Sequence, residues 1–420
     1  MAQQFIIEGG KKLEGEIIVR GSKNAAGAVI AATLLTKEEC LIDNLPLVQD
    51  VLNLLDIIKE MGAQVDWLSE RKVRIKAGDN FNPEKINFEK FSKARTSVLL
   101  IGSLLGRVKD FKVSRPGGDR IGLRPITTHL EALAELGVDI KEEGDFYYFS
   151  REKLVGREIV LPEFSVTATE NLMMASCLAE GETIIKIAAQ EPHVQDLALM
   201  LNKMGAKIEV IGPHSLRIRG VKELKGVEHK IIPDYVEAGT FIVIGALTEG
   251  KMTIKDVDLE HLDLFLEKLK EIGVDFRKDK NTIEIFTPRD LKPIRLQALP
   301  YPGFPTDLLP LVVSLLTQAE GRSLIHDPLY ENRLNYTQQL RKMGADIEIV
   351  DPHRAFVFGK TPLQGLNIES WDIRAGAALV VAGLIAKGKT TISNIEQIDR
   401  GYEKIEERLQ ALGAEIKRVL

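Results

Sequence analysis

Residues able to do chemistry are gathered most densely at 115–125, RPGGDRIGLRP, where three glycines, two prolines and four charged side chains fall within eleven positions. Gly117, Gly118 and Gly122 admit backbone angles that side chains forbid, while Pro116 and Pro125 exclude regular helix or strand, so the segment reads as a long shaped loop. Such loops carry function on a rigid scaffold, although a plain solvated turn uses the same residues. Its one carboxylate, Asp119, stands among Arg115, Arg120 and Arg124. An acid surrounded by guanidinium groups suits proton transfer beside a bound anion.

More charged residues stand where apolar runs begin: Ser22-Lys23-Asn24, Lys93-Ala94-Arg95, Asp234 to Glu237, Thr306-Asp307 and Asp372-Ile373-Arg374. A helix start offers free N–H groups and partial positive charge to an anion. Lysine is slightly unfavourable there, so Lys23 reads either as a solvated surface lysine or as a cation kept for a ligand. Asp307, in FPTD, reads either as an ordinary helix-start carboxylate or as a base. Arg374 faces alanines and valines, and Arg400, in IDRGYEKIEE, precedes an amphipathic stretch as Arg333 and Arg124 do. The seven histidines lack metal-ligand spacing, and Cys40 and Cys177 each adjoin apolar residues, so the sequence predicts no metal, no cofactor and two buried thiols.

The scaffold that must hold these residues is a sixfold repeat. Gly62, Gly137, Gly205, Gly273, Gly344 and Gly413 each close an amphipathic stretch, at spacings of 75, 68, 68, 71 and 69 residues. Near-constant spacing over the whole chain marks internal duplication. Each repeat opens with a stretch apolar all round, such as AAGAVIAATLL, GTFIVIGALTEG or GAALVVAGLIAKG, which predicts a helix buried on every side. A short β-rich run, an amphipathic helix such as VLNLLDIIKEMG, a terminal left-handed glycine and a hairpin follow. The last repeat ends at GAEIKRVL without a second hairpin strand, and FIIEGGKKLEGEIIVRG at 5–21 matches the LRIRGVKELKGVEHKII segment of the third repeat. The expected architecture is α/β, with three repeats per domain: 22–231, carrying the Asp119 loop, and 232–420 completed by the N-terminal strands of 1–21. Equivalent helix starts in two facing domains would form an anion-binding cleft that closes on its ligand.

A chain of 420 residues, 44% hydrophobic and 28% charged, has an ordinary composition for two or three domains. Its net charge of −5 argues against a nucleic-acid binder held by general basicity but allows a local basic site. The start MAQQFIIEGGKK lacks a secretory pattern, and no apolar run reaches the roughly 18 residues of a membrane span, so the expected location is cytoplasmic, with no membrane or nucleic-acid partner. Oligomeric state is left open.

Taken together, GSKNAA (21–26), KARTS (93–97), PGGDRIGLRP (116–125), EP (191–192), PDYVEAGTF (233–241), FPTD (304–307), ENR (331–333), DIRAGAALV (372–380) and IDRGYEKIE (398–406) resemble the motifs of the enolpyruvyl transferases. The match is to the branch whose acceptor is UDP-N-acetylglucosamine. The resemblance implies two inside-out α/β barrel domains, each of three βαβαββ-like repeats. It also implies a reaction: the acceptor 3′-hydroxyl adds to C2 of phosphoenolpyruvate, C3 is protonated, and phosphate leaves, the first committed step of peptidoglycan synthesis. By resemblance Asp119 holds the place of the general acid, where many members have cysteine, which implies insensitivity to fosfomycin. Lys23, Asn24, Arg124, Arg374 and Arg400 match the phosphoenolpyruvate site. Asn24, Arg95, Arg124, Ser165, Val166, Asp307 and Leu329 match the nucleotide-sugar site, with Asp307 as candidate base. Two places depart from the family pattern: Thr127-Thr128, where an acid is common, and Thr167, where glycine is usual. The alternatives are a sister enzyme using shikimate 3-phosphate, against which PGGDRIGLRP argues, and a non-catalytic relative, against which retention of Lys23, Asp119, Arg124, Asp307 and Arg400 together argues.

Overall fold

The computed structural model describes residues 3–119, 121–288 and 290–420, so Arg120 of the charged loop lies outside the described residues. The six apolar stretches form helices Lys23–Ala32, Leu100–Arg107, Val166–Ser176, Tyr235–Leu247, Leu309–Leu316 and Ile373–Ile385. Nearly every residue of these helices is buried, because none has a polar face to turn outward. They approach one another closely where glycine leaves room. At Gly102 a side chain would strike the backbone of Asn171, and the Asn171 Oδ1 instead accepts the Gly102 N–H at 2.5 Å.

Amphipathic helices such as Gln49–Glu60 and Asp263–Ile272 bury one stripe, Val51, Leu54, Leu55 and Ile58 in the first case. The repeated glycines that follow these helices, Gly62, Gly137, Gly205, Gly273, Gly344 and Gly413, all have positive φ between 91° and 103°. That angle ends the helix and turns the chain into the hairpin.

Contacts divide the chain into two units: the described residues of 1–20, 119–123 and 233–420, and those of 21–118 and 124–232. Each unit has its own hydrophobic core. In the first, Gln4–Glu8 lies antiparallel between Lys389–Ser393 and Glu415–Val419, with Phe5 opposite Ile392 and Arg418. Gly15–Ile18 leaves that sheet and runs parallel to Met252–Lys255 in another. The N-terminal segment therefore serves two sheets, where the sequence assigned all of 1–21 to the last repeat. The intervening turn is fixed by Leu13 N–H on Thr248 O at 3.1 Å and Glu14 N–H on Leu412 O at 3.0 Å.

In the second unit Val227–Lys230 runs parallel to Cys40–Asp43 in the corresponding way. One sheet differs from the rest: Asp110–Ser114, Phe146–Ser150 and Asp139–Glu143 make three strands where the other five sheets described have four. The chain ahead of it forms a 3-10 turn, Pro83–Lys85, and a short helix, Phe88–Phe91, in place of a short parallel strand. Among the described residues no helix is long and apolar enough to cross a membrane.

The charged loop is split between the units. The sequence placed all of it with 22–231, but 119–123 contacts the other unit: Asn332 N–H donates to Ile121 O at 3.0 Å, and Gly122 abuts Glu331.

Candidate active site

In the unit of 1–20, 119–123 and 233–420, the centre of charge is Asp307. Pro305 precedes a 3-10 turn, Thr306–Leu308, so the carboxylate stands at the entry to helix Leu309–Leu316. Its Oδ1 accepts from Arg333 Nη2 at 2.7 Å and its Oδ2 from Arg374 Nε at 3.2 Å. Both arginines are almost completely buried, at 1% and 4% side-chain exposure, while Asp307 keeps 29%. Burial works against charge on Arg333, but Asp307, Asp372 and Asp327 outweigh it and hold the guanidinium more firmly protonated than usual. For Arg374 burial is likewise overcome, by Asp307 first and then by Tyr402 and Asp234. Arg374 also lies over the Tyr402 ring at 5.4 Å, and Tyr402 Oη meets Thr240 Oγ1 at 2.7 Å.

Arg374 sits in the first turn of its helix because Asp372 caps it, Oδ1 accepting from the Arg374 N–H at 2.9 Å and the Ala375 N–H at 2.8 Å. Burial pushes the Asp372 carboxyl up, against the pull of Arg333 and with the added repulsion of Asp119. Asp119 itself is bound to Arg400, Oδ1 to Nη1 at 2.6 Å, with 15% and 14% of the two side chains exposed. The same Nη1 donates to Gln397 Oε1 at 2.9 Å. Leu329, half exposed, is held through its N–H on Asp327 Oδ1 at 3.0 Å, and Thr306 Oγ1 donates to the other oxygen of Asp327 at 2.6 Å.

In the unit of 21–118 and 124–232, Lys23 is the first residue of its helix, capped by Ser22. It is buried rather than solvated: Nζ meets Asp50 Oδ2 at 2.9 Å, with 11% and 5% of the side chains exposed. Asn24 follows, half-buried. Arg95 donates through Nη1 to Arg124 O at 2.5 Å and through Nη2 to Pro125 O at 3.1 Å, which ties KARTS to the end of the charged loop. Arg115 is turned to Glu142 and the Tyr147 ring instead.

Ser165 and Val166 stand at the start of helix Val166–Ser176, and the Ser165 side chain makes no cap hydrogen bond. Both departures from the family pattern are engaged there. Thr167 Oγ1 meets His129 Nε2 at 2.7 Å, and Thr128 Oγ1 donates to Glu163 Oε1 at 2.9 Å. Burial, with Arg95 and Arg124 adding to it, lowers His129 to about 3, so its imidazole stays neutral.

Asp119, Asp307, Arg374, Arg400 and Leu329 thus belong to one unit, and Lys23, Asn24, Arg95, Arg124, Ser165 and Val166 to the other. Sequence reasoning missed Asp50, Gln397, Tyr402 and Asp372 as supports. Asp50 gives no signal beyond an ordinary acid in a first helical turn, whereas Tyr402 and Asp372 lie inside motifs already singled out. Chemically, the first unit offers two carboxylates set on guanidinium groups, suited to proton transfer, and the second offers cations beside helix starts, suited to anionic ligands.

A repeated α/β fold with charged residues at the starts of its buried helices agrees with an enolpyruvyl transferase. The chain belongs to that family, residues 7–409 matching the sequence model of EPSP synthase (3-phosphoshikimate 1-carboxyvinyltransferase). Within it, the relatives carry a narrower name. The UDP-N-acetylglucosamine 1-carboxyvinyltransferase of Koribacter versatilis is 43% identical over 419 residues, 99% of this chain and 96% of that protein. UDP-N-acetylglucosamine 1-carboxyvinyltransferase 2 of Clostridium tetani is 42% identical over 417 residues, 99% and 100% of the two chains. Among solved structures, the enolpyruvyl transferase NikO from Streptomyces tendae superposes with a TM-score of 0.92 at 23% identity, covering 100% of this chain and 99% of its own. An EPSP synthase from Acinetobacter baumannii gives 0.77 at 21%, with 100% of both chains covered. These two likenesses speak for the fold alone.

Proposed function

We infer that the chain transfers the enolpyruvyl group of phosphoenolpyruvate to the 3′-hydroxyl of UDP-N-acetylglucosamine with release of phosphate, the first committed step of peptidoglycan synthesis. The observation that carries the reading is full-length identity of about 42% to proteins of that name, supported by the presence of Lys23, Asp119, Arg124, Asp307 and Arg400 together.

In this reading Asp119 donates a proton to C3, which leaves C2 electron-poor. The hydroxyl oxygen then bonds to C2 and loses its proton. Asp307 takes that proton, which an oxygen bonding to an electron-poor carbon gives up readily. Asp119, now a carboxylate, removes a proton from C3 as the C2–O bond to phosphate breaks, which restores the acid and the double bond. Lys23, Arg124, Arg374 and Arg400 balance the phosphate and carboxylate charges, with Asn24 beside them. Arg95, Ser165, Val166 and Leu329 are assigned to the nucleotide sugar. The tethering of Thr128 to Glu163 and of Thr167 to His129 favours a nucleotide end gripped differently from that of the usual pattern.

The test is phosphate release from phosphoenolpyruvate with UDP-N-acetylglucosamine or shikimate 3-phosphate as acceptor. Release with the first alone is expected. Release with the second alone would transfer the chain to the sister activity, and release with neither would make it a non-catalytic relative.

A further inference from the structure

We propose that Arg400 is held in turn by two anions, the Asp119 carboxylate and the donor phosphoenolpyruvate, so that donor binding is what frees Asp119 to act. The proposal rests on the assignment of Arg400 to the donor given above. Three features of the site support it.

The first is saturation of a single nitrogen. Arg400 Nη1 carries two hydrogens, one directed to Asp119 Oδ1 at 2.6 Å and the other to Gln397 Oε1 at 2.9 Å. An anion that needs this nitrogen must replace one of them. Gln397 is neutral and sits three residues away on the short helix Glu396–Asp399, so it moves with Arg400 and keeps the guanidinium aimed. Of these two, Asp119 is the one with charge to exchange.

The second is burial. Both side chains of the pair are about 85% covered, at 15% and 14% exposure, so water does little to screen their attraction and a competing anion has to match it. The third is where the loop is fastened. Its anchors on this unit lie two and three residues on, at Ile121 O on Asn332 N–H (3.0 Å) and at Gly122 against Glu331. Neither anchor is made by Asp119 itself.

The exchange sets an order of events. A carboxylate paired with a guanidinium accepts hydrogen bonds and has no proton to give. Once the donor's phosphate or carboxylate has taken Nη1, the Asp119 carboxyl is released to act at C3. Proton delivery is thereby tied to an occupied donor site. Gln397 is a positioning residue in this scheme, acting through Arg400 and touching no reacting atom.

The experiment is calorimetric titration of the full chain with phosphoenolpyruvate and, separately, with inorganic phosphate, in the absence of acceptor. Asp119→Asn and Asp119→Cys remove the competing charge, and both are expected to bind phosphoenolpyruvate about tenfold tighter than the parent. Turnover should be lost in the first. In an Arg400→Gln background the tightening should vanish. Equal or weaker binding in both variants, or tightening that persists without Arg400, overturns the proposal. Failure of the parent to release phosphate with either acceptor would instead refute the reaction, and the inorganic phosphate titrations would still report on the exchange.

Discussion

Under the proposed assignment, Asp119 decides which electrophiles the protein meets. A carboxylate is a far weaker nucleophile than a thiolate, and the two cysteines are unfit to replace it: burial pushes Cys40 up to about 11 and Cys177 up to about 12, and both are fully covered. Preincubation with fosfomycin and UDP-N-acetylglucosamine should leave the parent active, while Asp119→Cys should keep turnover and lose it with time; rapid inactivation of the parent would contradict the assignment of Asp119. Lys23 is harder to test, because it neutralises a buried Asp50. Lys23→Ala should cost about a hundredfold in kcat/KM for phosphoenolpyruvate and also about 3 kcal/mol of stability, since the buried Asp50 carboxylate loses the ammonium beside it. Adding Asp50→Asn should restore the stability and not the activity; recovery of both would make Lys23 structural. His129 provides the pH signature. Its ordinary value near 6.5 falls to about 3 in the fold, so the unfolded chain binds the extra proton. Its contribution is whole above about pH 6.5 and drains away as pH falls toward 3. Denaturant midpoints at pH 7.5 and 4.5 should therefore differ more for the parent than for His129→Asn, and equal differences would place the charged imidazole in the fold.

At the scale of elements, the loop is the part whose shape matters most. Gly122 has φ of +144°, and any side chain there would run into Glu331. Gly122→Ala should lower kcat/KM about tenfold or more while global stability shifts by less than about 1 kcal/mol, because the loop is no part of either core; unchanged activity would mean that the contact with 331–333 has no bearing on the chemistry. The repeat was legible in the sequence to a useful degree, since six glycines at the ends of amphipathic stretches all adopt the left-handed turn and all six apolar stretches are buried helices. What was not legible depends on partners distant in sequence. Gly15–Ile18 could be assigned to Met252–Lys255 only through a parallel pairing some 237 residues away, as between Gly15 and Met252. The missing fourth strand beside Asp110–Ser114 reflects a local preference of 83–91 for helical turns that the repeat pattern conceals. Within the candidate site, residue types and positions could be read, but the doubling of arginines on Asp307 and the burial of Lys23 on Asp50 could not, because they arise between elements.

Across the whole molecule, the proposed residues are divided between the two units, Asp119, Asp307, Arg374, Arg400 and Leu329 on one and Lys23, Asn24, Arg95, Arg124, Ser165 and Val166 on the other. Neither half has the full set, so the account requires the intact chain for turnover. Its central claim is an addition followed by an elimination at phosphoenolpyruvate with UDP-N-acetylglucosamine as acceptor. The most direct measurement is mass and proton NMR analysis of the product formed from these two substrates in deuterated water. The account predicts a nucleotide sugar heavier by one enolpyruvyl group at O3′, with deuterium in its vinyl CH2, because C3 passes through a methyl group and gives a hydrogen back. An unmodified nucleotide sugar, or an enolpyruvyl product whose vinyl group carries no deuterium, would contradict it.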